Sequence, residues 1–74
     1  MKVQWIEGGA WSVEIGEMRL LLAPTATVGS LLTKALRSFQ EGRFEESKDL
    51  LNKAMQTHDK WLSDNPGRKV QQTN

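Results

Sequence analysis

Between Val3 and Leu22 apolar and polar side chains alternate in short runs, whereas from Leu31 to Trp61 the apolar ones recur every three or four positions. A period of two marks strands with one buried face, and a period near about 3.6 marks amphipathic helices. The first part holds Val3 and Trp5, then Trp11, Val13 and Ile15, then Met18, Leu20 and Leu22. Gly16-Glu17 separates the last two runs, and glycine in the first loop position suits a two-residue type II′ turn. That register sets Ile15 opposite Met18, Val13 opposite Leu20 and Trp11 opposite Leu22, all on one face. On the other face it sets Glu14 opposite Arg19, an opposite-charge cross-strand pair.

For the first turn, a two-residue Gly8-Gly9 loop would bring Lys2 and Gln4 beside the apolar face. A three-residue loop, Gly8-Gly9-Ala10, instead pairs Trp5 with Val13 and Val3 with Ile15. Because a one-residue slip turns every side chain over, the second register is expected. The result is a three-stranded antiparallel meander over residues 2–23 that leaves Ile6 and Leu21 on its outer face.

Pro24 has no N–H for a ladder and ends the sheet. Thr27 is the expected N-cap of a first helix, with Thr25 as the alternative. This helix carries Val28, Leu31, Leu32, Ala35, Leu36 and Phe39 on one stripe. Gly29 in its first turn costs about 1 kcal/mol relative to alanine. Gly42 supplies the left-handed position that terminates it. A second helix begins near Arg43 or Phe44 and runs to about Leu62 or Asp64, with a stripe from Phe44 and Ser47 through Leu51, Ala54, Met55 and His58 to Trp61 and Leu62. Glu45 and Glu46 in its first turn and Lys60 in its last complement the helix dipole. Asn65-Pro66-Gly67 is a stop. The expected fold is α+β: a β-meander followed by an antiparallel two-helix hairpin packed on one sheet face (βββαα). Residues 1–66 form one small domain, with the hairpin over 27–64, and the polar stretch 67–74 reads as a disordered tail.

Around Gly42 the residues resemble a tetratricopeptide-repeat hairpin. The small, aromatic and turn positions of that family fall on Ala35, Phe39, Gly42, Phe44, Ser47, Leu51 and Ala54. Ser47 stands where alanine is usual, and Leu31 where an aromatic is common. The resemblance implies two helices in close contact at Ala35 and Ala54, with Phe39, Phe44 and Leu51 between them. It spans residues 31–62 and does not recur, so the hairpin must find another surface than a copy of itself, and the sheet offers one.

Composition narrows the chemistry. Cysteine is absent from the 74 residues and there is one histidine, which excludes disulfides and thiolate metal sites. No metal or cofactor site is expected. His58 beside Asp59 lacks a second acid or base at a diagnostic spacing, so it reads as a helix histidine at the hairpin end. Glu41, Glu45 and Glu46 do not have the spacing of a calcium loop. Gly8-Gly9 lacks the pattern of a phosphate loop. No catalytic residue is assigned, and the chain is expected not to be an enzyme.

Ten basic against nine acidic residues give a net charge of +1, and the two signs are interleaved along the helices. Nucleic-acid binding is therefore a minor alternative, since no single-sign stripe emerges. The start of the sequence lacks the apolar run of a signal peptide, and Leu20-Leu21-Leu22-Ala23 is too short to span a bilayer, so a cytoplasmic location is expected. A domain this small has a thin core, which makes a homodimer a reasonable expectation.

Of the three tryptophans, Trp5 and Trp11 fall on the face to be covered by helices, while Trp61 has an even chance of exposure. The expected function is a non-enzymatic protein–protein interaction module: a small adaptor, chaperone-like subunit or inhibitor of a larger protein. Ile6, Leu21 and Trp61 are the candidate interface. A structural homo-oligomer is the alternative.

Overall fold

Strands β1 (Lys2–Ile6), β2 (Ala10–Ile15) and β3 (Met18–Leu22) form one antiparallel sheet in the order β1-β2-β3. Helices α1 (Ala26–Gln40) and α2 (Phe44–Asp64) follow as a hairpin. The computed structural model describes residues 1–65, so the expected tail at 67–74 lies outside the described residues. The fold is the expected βββαα arrangement, with the helices lying on the sheet face that carries Val13 and Leu22.

The second β-turn forms as the sequence predicts, with Ile15 opposite Met18, Val13 opposite Leu20 and Trp11 opposite Leu22. Gly16 has φ +59 while, among the described residues, no non-glycine residue has positive φ, which is the conformation of a II′ rather than a I′ turn. Glu14 does stand opposite Arg19, but the expected ion pair is not made. The Arg19 Nε instead donates to Ser12 Oγ at 3.2 Å, a residue only 2% exposed. A buried hydroxyl leaves more free energy at stake than an exposed ion pair does, and the arginine side chain turns to cover it.

The first turn differs from expectation. Val3 pairs with Val13, Trp5 with Trp11 and Ile6 with Ala10, so the loop is Glu7-Gly8-Gly9 rather than Gly8-Gly9-Ala10. Both glycines have φ near the same value, +110 and +108, and Gly9 N–H closes the turn on Ile6 O at 3.2 Å. Placing both glycines inside the loop satisfies two positive-φ positions and leaves Ala10 extended in the strand. The register moves by two residues, so no side chain changes face.

Helix α1 is capped by Thr25, not Thr27: Thr25 is extended (φ -115, ψ 154) and its hydroxyl accepts from Val28 N–H at 3.2 Å. Pro24 has already turned the chain off the sheet, so the helix starts at the next residue, Ala26, and Thr27 lies inside its first turn. At the other end Gly42 N–H bonds Phe39 O and Arg43 N–H bonds Ser38 O, at 3.1 and 2.8 Å, around Gly42 at φ +80. These two bonds are a Schellman motif, which needs a left-handed residue where glycine stands. Helix α2 continues to Asp64 with no basic residue in its last turn, so Lys60 lies just before the position expected of it.

Small residues set the spacing of the two helices. Ala35, Ser38, Ser47 and Ala54 are buried between them. Ser47 donates its hydroxyl to Ala35 O at 2.8 Å, and Ser38 donates to Glu46 Oε2 at 2.7 Å. Serine here has nearly the size of alanine and adds a bond to a helix carbonyl across the interface. Beneath them the core proper is built on Val13, Leu22, Val28 and Leu32, with Leu20, Leu51, Met55 and Trp61 packed partly buried around it.

Trp11 reaches from the sheet to the start of α1. Its indole Nε1–H donates to Thr25 O at 3.3 Å. A Cβ built on Gly29 would lie 2.6 Å from the ring carbon Cζ2. Gly29 is therefore the hole into which the indole fits, and its poor helix propensity is offset by that contact.

Candidate functional site

His58 holds a structural bond. Its Nδ1 accepts from the backbone N–H of Ala23 at 3.0 Å, just past the end of β3, where Ala23 is fully buried. Only a ring carrying its single hydrogen on Nε2 fills this role. The imidazole thereby fixes the second helix to the end of the sheet, across 35 residues of chain. It lies in no cluster of acids and ligands: among the described residues no group of three or more His, Asp or Glu side chains is arranged to hold a metal ion.

An acceptor at that point is expected to be required. Asparagine places its Oδ1 near the Nδ1 position, whereas glutamine reaches to the Nε2 position. His58→Gln is expected to be less stable than His58→Asn by about 1–2 kcal/mol, because it leaves a buried N–H without a partner. Urea unfolding of the two variants checks this; equal stability would mean that the bond contributes nothing.

The surface chemistry is concentrated in the apolar side chains. None of the tryptophan, phenylalanine, methionine or isoleucine residues is fully buried; among the described residues the buried hydrophobics are alanine, valine and leucine alone. Trp5 is 49% exposed, Met18 53% and Phe44 60%. The expectation that Trp5 joins Trp11 in the core is corrected. Although α1 packs against β1, the Trp5 ring on this edge strand stays half-exposed and stands edge-on against Trp11 with ring centroids 5.0 Å apart.

These residues form two surfaces. At the hairpin end, Phe39 and Phe44 flank the Gly42 turn and meet edge-to-face at 5.3 Å. They do not fill the space between the helices. With Met1, Ile15, Leu51 and the stem of Lys48 they line an open, almost wholly apolar groove of about 180 Å³. Met18, opposite Ile15 in the sheet, extends that surface. The second surface is the outer edge of β1, where Trp5 and the half-buried Ile6 project to opposite faces of an edge strand.

Of the three residues expected at an interface, Ile6 and Leu21 stand on the outer sheet face as the sequence predicts, and Trp61 stands apart from them. Ile6 and Leu21 lie on the sheet face away from the helices, both half-buried, beside the buried Ala10 and Ser12. Trp61 packs against the core cluster from α2. The structure does not bring the three together. Trp5, Phe39, Phe44 and Met18 were missed because period alone assigns them to the core face. Their position at the ends of their elements was the available signal.

The ion pairs among the described residues are those of Arg43, with Glu41 and, at 3.2 Å, with Glu46. No helix of the described chain is long and apolar enough to cross a membrane. Compared with models of protein families, with curated proteins and with solved structures, the chain matches none.

Proposed function

We propose that the protein is a non-enzymatic protein–protein interaction module, a small adaptor, chaperone-like subunit or inhibitor that binds a larger protein. The observation that carries this reading is that the fold buries none of its largest apolar side chains completely and groups the exposed ones. Contiguous apolar surface of this kind marks docking sites more than it marks chance exposure. The tetratricopeptide-like pattern around Gly42 supports the same reading.

The partner's place in this proposal is the edge of β1. An extended segment added beside β1 would find the free backbone groups of an edge strand. It would contact Trp5 on one face and Ile6 on the other, and tryptophan is the side chain most often dominant in such contacts. Trp61, held in the packing around the core, has no part in it. The test is retention of proteins from a native lysate on the immobilised chain, followed by the same experiment with Trp5→Ser/Ile6→Ser. A discrete protein held by the wild type and lost by at least ten-fold in the double variant is expected. Equal retention by both, or none by either, sinks the proposal. Circular dichroism of the variant establishes that the fold is intact.

A structural homo-oligomer is the second reading, favoured by the groove at the hairpin end.

A further inference from the structure

Across the outer face of the sheet, Lys2, Glu14 and Arg19 stand in one row, because Lys2 pairs with Glu14 and Glu14 with Arg19. Their signs alternate: plus, minus, plus. The two ends of the row are not equivalent. Arg19 on β3 is turned to the buried Ser12, to which its Nε donates at 3.2 Å. Lys2 on β1 is exposed and makes no ion pair among the described residues. The row is open beside Lys2, since β1 is the edge of the sheet.

A strand added to β1 extends this row by one residue. Directly opposed side chains on one sheet face interact by sign, opposite charges gaining and like charges losing. An acid beside Lys2 continues the alternation, whereas a base there meets a like charge.

The same face of β1 carries Ile6 four residues on, half-buried, with the exposed Gln4 between. Side chains on one face recur every second residue, so the added strand sets alternate residues beside Lys2, Gln4 and Ile6. Its intervening residues fall beside Val3 and Trp5 on the other face, where Trp5 is 49% exposed. The residues beside Ile6 and Trp5 are thus adjacent in the partner's sequence, and both meet apolar side chains. Both existing ladders are antiparallel, and antiparallel pairing is the more stable per residue. The order along the partner is then apolar, apolar, any, any, acidic.

We infer that β1 selects an extended protein segment in which two adjacent apolar residues are followed, three positions after the second, by Asp or Glu set beside Lys2. The inference rests on the β1 edge being the docking site and adds the chemistry of the partner to it.

Selection of a random-sequence peptide library, displayed on phage, against the immobilised full chain tests it. The selected peptides are expected to carry this pattern, with acid exceeding base at the last position by about three- to ten-fold. Against Lys2→Glu the preference is expected to reverse to Lys or Arg, and against Lys2→Gln to vanish. Circular dichroism establishes that both variants keep the fold, and selection against Trp5→Ser/Ile6→Ser identifies the peptides that bind at this edge. Peptides that depend on Trp5 and Ile6 but show no acidic preference, or keep it against Lys2→Glu, overturn the inference and leave the β1 edge as the docking site. So does an acid that precedes the apolar pair. If Trp5→Ser/Ile6→Ser selects the same peptides as the wild type, or the wild type selects none, the inference and the β1-edge reading fall together.

Discussion

Gly29→Ala is expected to destabilise the protein by about 1–2 kcal/mol, although alanine is the better helix former. In an exposed helix the substitution would stabilise by about 1 kcal/mol. Here the new Cβ would lie 2.6 Å from Cζ2 and 3.0 Å from Cε2 of Trp11. The indole is held in place from two sides. Its Nε1–H is bonded to Thr25 O, and Trp5 stands against its ring. It cannot retreat without losing one of these contacts. Overpacking costs roughly 1–3 kcal/mol, and an approach this close to a ring held on two sides falls in the upper part of that range, about 2–3 kcal/mol before the propensity gain is subtracted. In a domain of this size the melting temperature should fall by roughly 5–15 °C. In a Trp11→Phe background, where the second ring of the indole is gone, Gly29→Ala should lose most of its cost or become favourable. Thermal and urea unfolding of the four proteins of this cycle measures the coupling directly. A stabilised Gly29→Ala in the wild-type background would show that the ring yields freely.

Leu32→Ala carries the largest effect expected of any single truncation, about 2–5 kcal/mol. Leu32 is the largest of the fully buried side chains, and the other large members of that set are Val13 and Val28. Most of the remaining buried hydrophobics are alanines, which offer little volume with which to refill a cavity. For 74 residues an ordinary stability is roughly 4–11 kcal/mol. The substitution therefore removes a large share of the total, and a visible unfolded fraction at room temperature is expected. Leu31→Ala, one position away and half-buried, should cost less than half as much. Equal costs at the two positions would contradict the placement of the core at Leu32.

The layer order and most of the element boundaries were legible from period and turn chemistry. Gly16, Gly42 and Pro24 each impose a local conformation that few other residues would, and the elements end where they stand. The first turn was harder because two adjacent glycines allow more than one loop of the same parity. Parity determines the faces, while the choice between the loops depends on which residue is spared a positive φ, here Ala10. The N-cap moved from Thr27 to Thr25 for a related reason, since both offer a hydroxyl and only the geometry after Pro24 separates them.

The roles of Gly29 and Ser47 lie beyond one-dimensional patterns. Each looks unfavourable within its own helix and becomes intelligible only beside Trp11 or Ala35. The groove at the hairpin end was hidden for a similar reason. Periodicity reports which direction a side chain faces, but not whether another element extends far enough to cover it. Phe39 and Phe44, at the ends of their helices, face inward and still find no cover.

The bond from Ala23 to His58 has a consequence for how the molecule opens. Its donor belongs to the end of the meander and its acceptor to the last third of the chain, so it exists only while α2 is seated on the sheet. Hydrogen exchange at the Ala23 amide then requires α2 to lift from that end of the sheet. Fraying confined to the β1 edge leaves this amide protected. Exchange at this one position thus separates the opening of the helical layer from the opening of the strands.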